Sequence, residues 1–171
     1  MTNDHILKVF VVDDDEFFGT IVKSKLEHED NIDVTLFDNA TDFLQSMHEH
    51  PDLVIIDYVD LLRSKRLSKE RKEEIDDIYI ATKGLAREIN VPVWSVSQVN
   101  RAGAKDDVIE GDKAAGSYDK IMITDFALSL SRKRQDKVNG TGRFHIMKNR
   151  YGMDGMTYFA KIDTATGHID I

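Results

Sequence analysis

The most sharply patterned stretch of the chain is Leu53-Val54-Ile55-Ile56, a continuous aliphatic run that ends on Asp57. Such a run predicts a strand buried on both faces of a parallel sheet, with the carboxylate at its carboxyl end. A similar run, Leu7 to Val12, leads straight into Asp13-Asp14-Asp15-Glu16. Within residues 17–28, Phe18, Ile21, Val22 and Leu26 then recur at helical spacing, so the acids fall in a strand-to-helix turn. Ile32 to Phe37 alternates apolar and polar residues as a short edge strand does. Asn39 caps a helix whose apolar face is Ala40, Phe43, Leu44 and Met47, and Pro51 ends it. The order β-α-β-α-β with short connections predicts a parallel sheet with right-handed crossovers.

Beyond Asp57 the pattern changes. A basic run, Arg63-Ser64-Lys65-Arg66, precedes a long amphipathic helix with Ile75, Ile78, Tyr79, Thr82, Leu85, Ala86 and Ile89 on one face. Val91 to Arg101, VPVWSVSQVNR, reads as a buried strand that ends in polar residues. Residues 102–117 are rich in Gly, Ala and charge without an apolar period, which predicts a loop. Asp125 to Leu130 is a further strand, and Arg132 to Gly142 reads as a basic turn. Arg143–Lys148 and Met156–Ile162 then read as antiparallel strands, and Thr164-Ala165-Thr166-Gly167 turns the chain into a last short strand.

Composition narrows the picture. The 171 residues suit a single domain, and with no cysteine there can be no disulfide, thiolate metal site or cysteine nucleophile. The absence of a long apolar run or signal-peptide layout predicts a cytoplasmic protein. Charge is uneven: residues 1–57 hold 3 Lys+Arg against 14 Asp+Glu, whereas residues 58–171 hold 20 against 17. Asp13, Asp14 and Asp57 would share one sheet edge. Three carboxylates offering only oxygen suit a hard cation such as Mg2+, which also relieves their repulsion. Asp15 and Glu16 read as solvated turn residues.

Residues 5–57, with VVDDDE and PDLVIID, resemble the receiver domain of two-component response regulators. That resemblance implies Asp13 and Asp14 as Mg2+ ligands, Asp57 as the phospho-acceptor served by a histidine kinase, and Ser97 as the fourth-strand hydroxyl. The fifth-strand lysine of that family is missing, since the position falls on Leu128 or Ser129. From about Leu53 onward the chain is similar to the RecA-like motor domain of DnaB-type replicative helicases. There the strand ending in IDY makes Asp57 a Walker B carboxylate, SQVNR makes Gln98 a nucleotide sensor, and KNRYG makes Lys148 and Arg150 contacts to a neighbouring subunit's nucleotide, vestigial in this chain, where the two residues themselves read as solvated hairpin positions. The 102–117 loop stands where such proteins touch single-stranded DNA. No GxxxxGK[ST] phosphate loop occurs in the sequence.

Together these resemblances lead to the expectation of one hybrid domain over 1–171, an engineered chimera joined at the LVIID strand. Its fold would be a three-layer α/β sandwich, flavodoxin-like (2-1-3) in the first half and RecA-like with antiparallel edge strands in the second. The order 2-1-3-4 would close up against a fifth strand. A residual Mg2+ and phospho-accepting site would remain, with no ATP bound or turned over. Histidine kinase, DNA and hexamer neighbours would be lost, leaving a monomer or a dimer through a sheet edge. The alternative is a natural phosphorelay or replication protein that keeps weak nucleotide or single-stranded DNA binding.

Overall fold

The computed structural model describes residues 5–59, 71–98, 106–111 and 119–171. The basic run 63–66 and most of the loop read over 102–117 lie outside the described residues. The chain divides into two compact units, Met1–Lys65 with Asp77–Ser97, and Arg66–Asp76 with Gln98–Ile171.

In the first unit, β1 (Leu7–Asp13), α1 (Glu16–Leu26), β2 (Ile32–Phe37), α2 (Ala40–Gln45) and β3 (Leu53–Asp57) follow the order read from the sequence. The helix α3 (Arg71–Ile89), whose last part lies here, then leads to β4 (Val93–Ser95). All pairings are parallel, and the sheet order is β2-β1-β3-β4. Alternation along β1 and β3 sends Phe10, Val12, Val54 and Ile56 to one face, with Phe43 and Ile78 packed against them. Val9, Val11 and Val34 face the other way, toward Val22 and Leu26 of α1. The unit is therefore helix on sheet on helix, the arrangement that buries a parallel sheet on both faces.

Local chemistry fixes the helix ends. The Asp15 carboxylate accepts hydrogen bonds from the Phe17 and Phe18 backbone amides at 3.0 and 3.1 Å, so it caps α1 rather than standing as a solvated turn residue. Asn39 caps α2 through the Asp42 amide at 2.9 Å, as its type and position predict. Gly19 lets α1 lie close to the sheet: a Cβ there would come within 2.7 Å of Leu36 Cδ1 and 3.4 Å of Asp13 Cβ.

The second unit holds α4 (Asp119–Ile123), β5 (Phe126–Ser131), α5 (Arg134–Asn139), β6 (Thr141–Asn149), β7 (Thr157–Asp163) and β8 (His168–Asp170). Its four strands form a separate antiparallel sheet in the order β5-β6-β7-β8.

Several expectations change. Among the described residues β4 pairs only with β3, and β5 opens its own sheet, so the anticipated closure of β4 against a fifth strand is not formed. The strand read over 91–101 is three residues long and not buried, with Trp94 54% exposed, because it lies on an edge. The basic turn over 132–142 contains α5. It has no apolar period, and it forms because Asp136 accepts the Lys133 amide at 2.9 Å and Gly140 takes the left-handed conformation that ends it. Leu44, placed on the apolar face of α2, is 53% exposed. No described helix is long and apolar enough to cross a membrane.

Phe10 is fully buried and meets the Phe37 ring edge-on at 4.9 Å. Phe10→Ala is expected to destabilise the protein by about 3–5 kcal/mol, whereas Leu44→Ala costs under about 0.5 kcal/mol; urea denaturation of both variants checks this.

Candidate functional site

The site is built where β1 and β3 end together. Their parallel register pairs Asp13 with Asp57, so two carboxylates lie side by side at the carboxyl edge, with Asp14 following. Asp13 is 4% exposed. Its Oδ1 accepts the Asp15 amide at 2.9 Å, while its Oδ2 is buried with no hydrogen-bond partner among the described residues. Asp57 and Asp14 are exposed. Burial, and then the negative charges of Asp13 and Asp14, push the Asp57 carboxyl above its ordinary value. The turn after Asp57 is tied to β4, since the Val59 amide donates to Ser95 Oγ at 3.0 Å.

This edge meets one requirement of a cation site and leaves another open. The donors are hard oxygens, one of them orphaned and buried, and the charge they concentrate is of the sign a cation relieves. Yet among the described residues no three acidic or histidine side chains converge to enclose an ion. That suits Mg2+ held by one or two carboxylates through waters, better than it suits a closed cage.

The other candidate residues are placed as follows. Ser97 closes the first unit two residues past β4, and Gln98 opens the second stretch of the other unit; both side chains are exposed. Lys148 donates from Nζ to the Ile121 and Met122 carbonyls at 3.1 and 2.5 Å, holding the end of α4. Arg150 is paired with Asp125 at 2.6 Å. The expectation of vestigial nucleotide contacts gave no hint of these structural tasks, because partners more than 20 residues away are invisible to a local motif.

A family model described as the DnaB-like helicase C terminal domain matches residues 18–162. The chain belongs to the DnaB-like helicase C-terminal domain family. Among its relatives, the replicative DNA helicase DnaB of Mycobacterium intracellulare is 30% identical over 108 residues, covering 58% of this chain and 18% of that protein. A probable plasmid replicative DNA helicase of Chlamydia psittaci is 29% identical over 125 residues, 69% of this chain and 26% of that protein. The chain thus spans no more than about a quarter of the length of these curated relatives. Among solved structures, an ATPase domain aligns with a TM-score of 0.72 at 21% identity, covering 98% of this chain and 74% of that one. A DnaB-like replicative helicase, solved in a study of its interactions with primase, gives 0.74 at 19% identity, 98% and 52%. These two likenesses bear on the fold alone.

The match corrects the chimera reading. One DnaB-like model runs from α1 through β7 and crosses the supposed join at Leu53–Asp57 without a break. Nothing supports a receiver origin, phosphorelay chemistry or engineering. The residues that suggested them, an acidic turn after one strand and an apolar run ending in aspartate, lie at the carboxyl edge where parallel α/β sheets in general gather ligands, so they do not single out one family. The partner expectations fall with that reading: a histidine kinase has no support, and neither does the premise of a helicase half cut off from its partners, or the sheet-edge dimer drawn from it.

Because the folded state raises the pKa of Asp57, its ionised form opposes folding at neutral pH. Asp57→Asn is expected to raise stability at pH 7. The gain shrinks as pH falls through the interval between the raised value and the ordinary carboxylate value of about 3.9. Thermal melts of both proteins from pH 4 to 8 check the sign; a constant difference across that range would rule out this origin.

Proposed function

We propose that this chain provides the Mg2+-nucleotide edge of a DnaB-like helicase domain. By itself it binds Mg2+ with a nucleoside triphosphate weakly and without hydrolysing it, and it touches single-stranded DNA through the stretch after β4. The observation that carries this reading is the family match through β3, whose last residue, Asp57, sits in register with the buried, half-satisfied Asp13. Asp57 would hold the cation from the exposed side, with Asp13 behind it and waters completing the shell. A bound Mg2+ would offset phosphate charge at this edge.

The chain's own residues divide the remaining work. Asp13 and Asp14 keep the edge negative, so that Asp57 gains by facing a cation. Ser95 fixes the turn after Asp57. Gln98 keeps the nucleotide-sensing role that the family resemblance gives it. Lys148 and Arg150 are assigned no nucleotide contact, since one is committed to the α4 carbonyls and the other to Asp125. The proposed lack of hydrolysis by these 171 residues rests on their containing no GxxxxGK[ST] loop, whose backbone amides and lysine would cradle the β- and γ-phosphates.

Titration of a fluorescent ATP analogue into the chain tests this. Binding is expected to require Mg2+ and to weaken at least about tenfold in Asp57→Asn, a loss of about 1.4 kcal/mol. Phosphate release from ATP should stay at background with or without single-stranded DNA. Binding that ignores Mg2+ would dismiss the site, and measurable turnover would dismiss the inert reading.

A further inference from the structure

The first turn of α1 sets an exposed apolar surface on the acidic edge. The side of the helix that lies on the sheet runs through Gly19, Val22 and Leu26, with Gly19 buried and the other two packed beside Val9, Val11 and Val34. Phe17, Phe18 and Ile21 lie off that line and are 70%, 58% and 40% exposed, so the helical face expected to bury Phe18 and Ile21 buries neither. A single apolar residue at a surface needs no explanation. Two consecutive phenylalanines, each more than half exposed and outside the hydrophobic core clusters of the described residues, forgo burial that their size would make favourable.

Short hydrogen bonds that start at the candidate site fix where this pair stands. Asp13, in register with Asp57, accepts the Asp15 amide at 2.9 Å, and Asp15 in turn accepts the Phe17 and Phe18 amides at 3.0 and 3.1 Å. The two rings touch edge-on, with centroids 5.9 Å apart and planes at 79°. Such a contact occupies at most one face of either ring, so the exposed Phe17 keeps a face for another flat group.

Charge sorts what can lie there. Residues 13–18 are four acids and the two phenylalanines, with no cation among them. This turn repels bare phosphate, whose charge would be offset at the cation proposed for Asp57. An uncharged aromatic base meets no such barrier, and stacking on an exposed ring holds bases without any hydrogen-bond readout.

We propose that Phe17, braced edge-on by Phe18, is the platform on which the base of the bound nucleotide stacks while its phosphates face the cation at Asp57. The platform rests on the nucleotide reading above and adds what the carboxylates cannot supply, a preference for a nucleotide over an inorganic polyphosphate.

Competition against a ribose-labelled fluorescent ATP analogue separates the two ideas, with Mg-ATP and Mg-tripolyphosphate as the competitors and their inhibition constants as the readout. On the unaltered chain Mg-ATP should compete at least about fivefold more tightly than Mg-tripolyphosphate, the low end of what one stacked base contributes. Phe17→Ala should remove that advantage by weakening Mg-ATP at least about fivefold, with Mg-tripolyphosphate and the urea midpoint unchanged. Phe17→Tyr keeps the ring and should hold Mg-ATP within about twofold of the unaltered chain. Unchanged Mg-ATP affinity in Phe17→Ala overturns the platform and leaves the cation edge standing. Equal losses for both competitors also overturn it, since a displaced helix end would act on the phosphates as well. If Mg-ATP alone competes on the unaltered chain and Phe17→Ala abolishes it, the platform stands and the cation edge fails. Competition by neither overturns both.

Discussion

Everything at the candidate site depends on two parallel strands ending on carboxylates in the same register. Hydrogen bonding between β1 and β3 places Asp13 opposite Asp57, above the aliphatic residues that pack the core beneath them. The protein keeps one carboxylate buried and half satisfied and the other exposed, its carboxyl pushed above the ordinary value by burial and its acidic neighbours. The raised carboxyl of Asp57 means that its charge opposes folding at neutral pH. A perturbed carboxyl beside a buried carboxylate makes this edge a candidate functional site.

Approach of the first helix is what makes that edge compact. Gly19 removes the side chain that would strike Leu36, and Asp15 caps the helix at the point where the acidic turn ends. The four consecutive acids thus carry different tasks. Asp13 is buried beneath the edge, Asp14 is exposed and adds charge, Asp15 satisfies backbone amides, and Glu16 begins α1 near its positive end.

Much of the first unit was legible because its signals are local. Continuous aliphatic runs gave β1 and β3, alternation gave β2, and the cap at Asn39 gave α2. The long apolar face gave α3, and the turns before β7 and β8 gave the antiparallel hairpins. Family membership was half legible: KNRYG and SQVNR pointed to the helicase side, but the acidic turn is shared by many parallel α/β sheets and drew the first 57 residues toward the wrong relatives. Contacts distant in sequence were not legible. Lys148 holds carbonyls 26 and 27 residues back, and Ser129 holds one 20 residues back. The inverted polarity of FALSLS, which buries Ser129 and Ser131 and exposes Leu128 and Leu130, was not legible either. Alternation revealed that it was a strand without revealing which face was the inner one.

That inversion also bears on how molecules of this protein meet one another. A strand that turns Phe126, Leu128 and Leu130 outward, beside Tyr158 at 41% exposure, offers a sticky band on one face of the antiparallel sheet. At neutral pH the net charge of −8 keeps copies apart. Near the isoelectric point of about 5.2 that repulsion vanishes and the band is left unopposed. Self-association through this band is therefore favoured as the pH falls toward that point and the acids lose their charge.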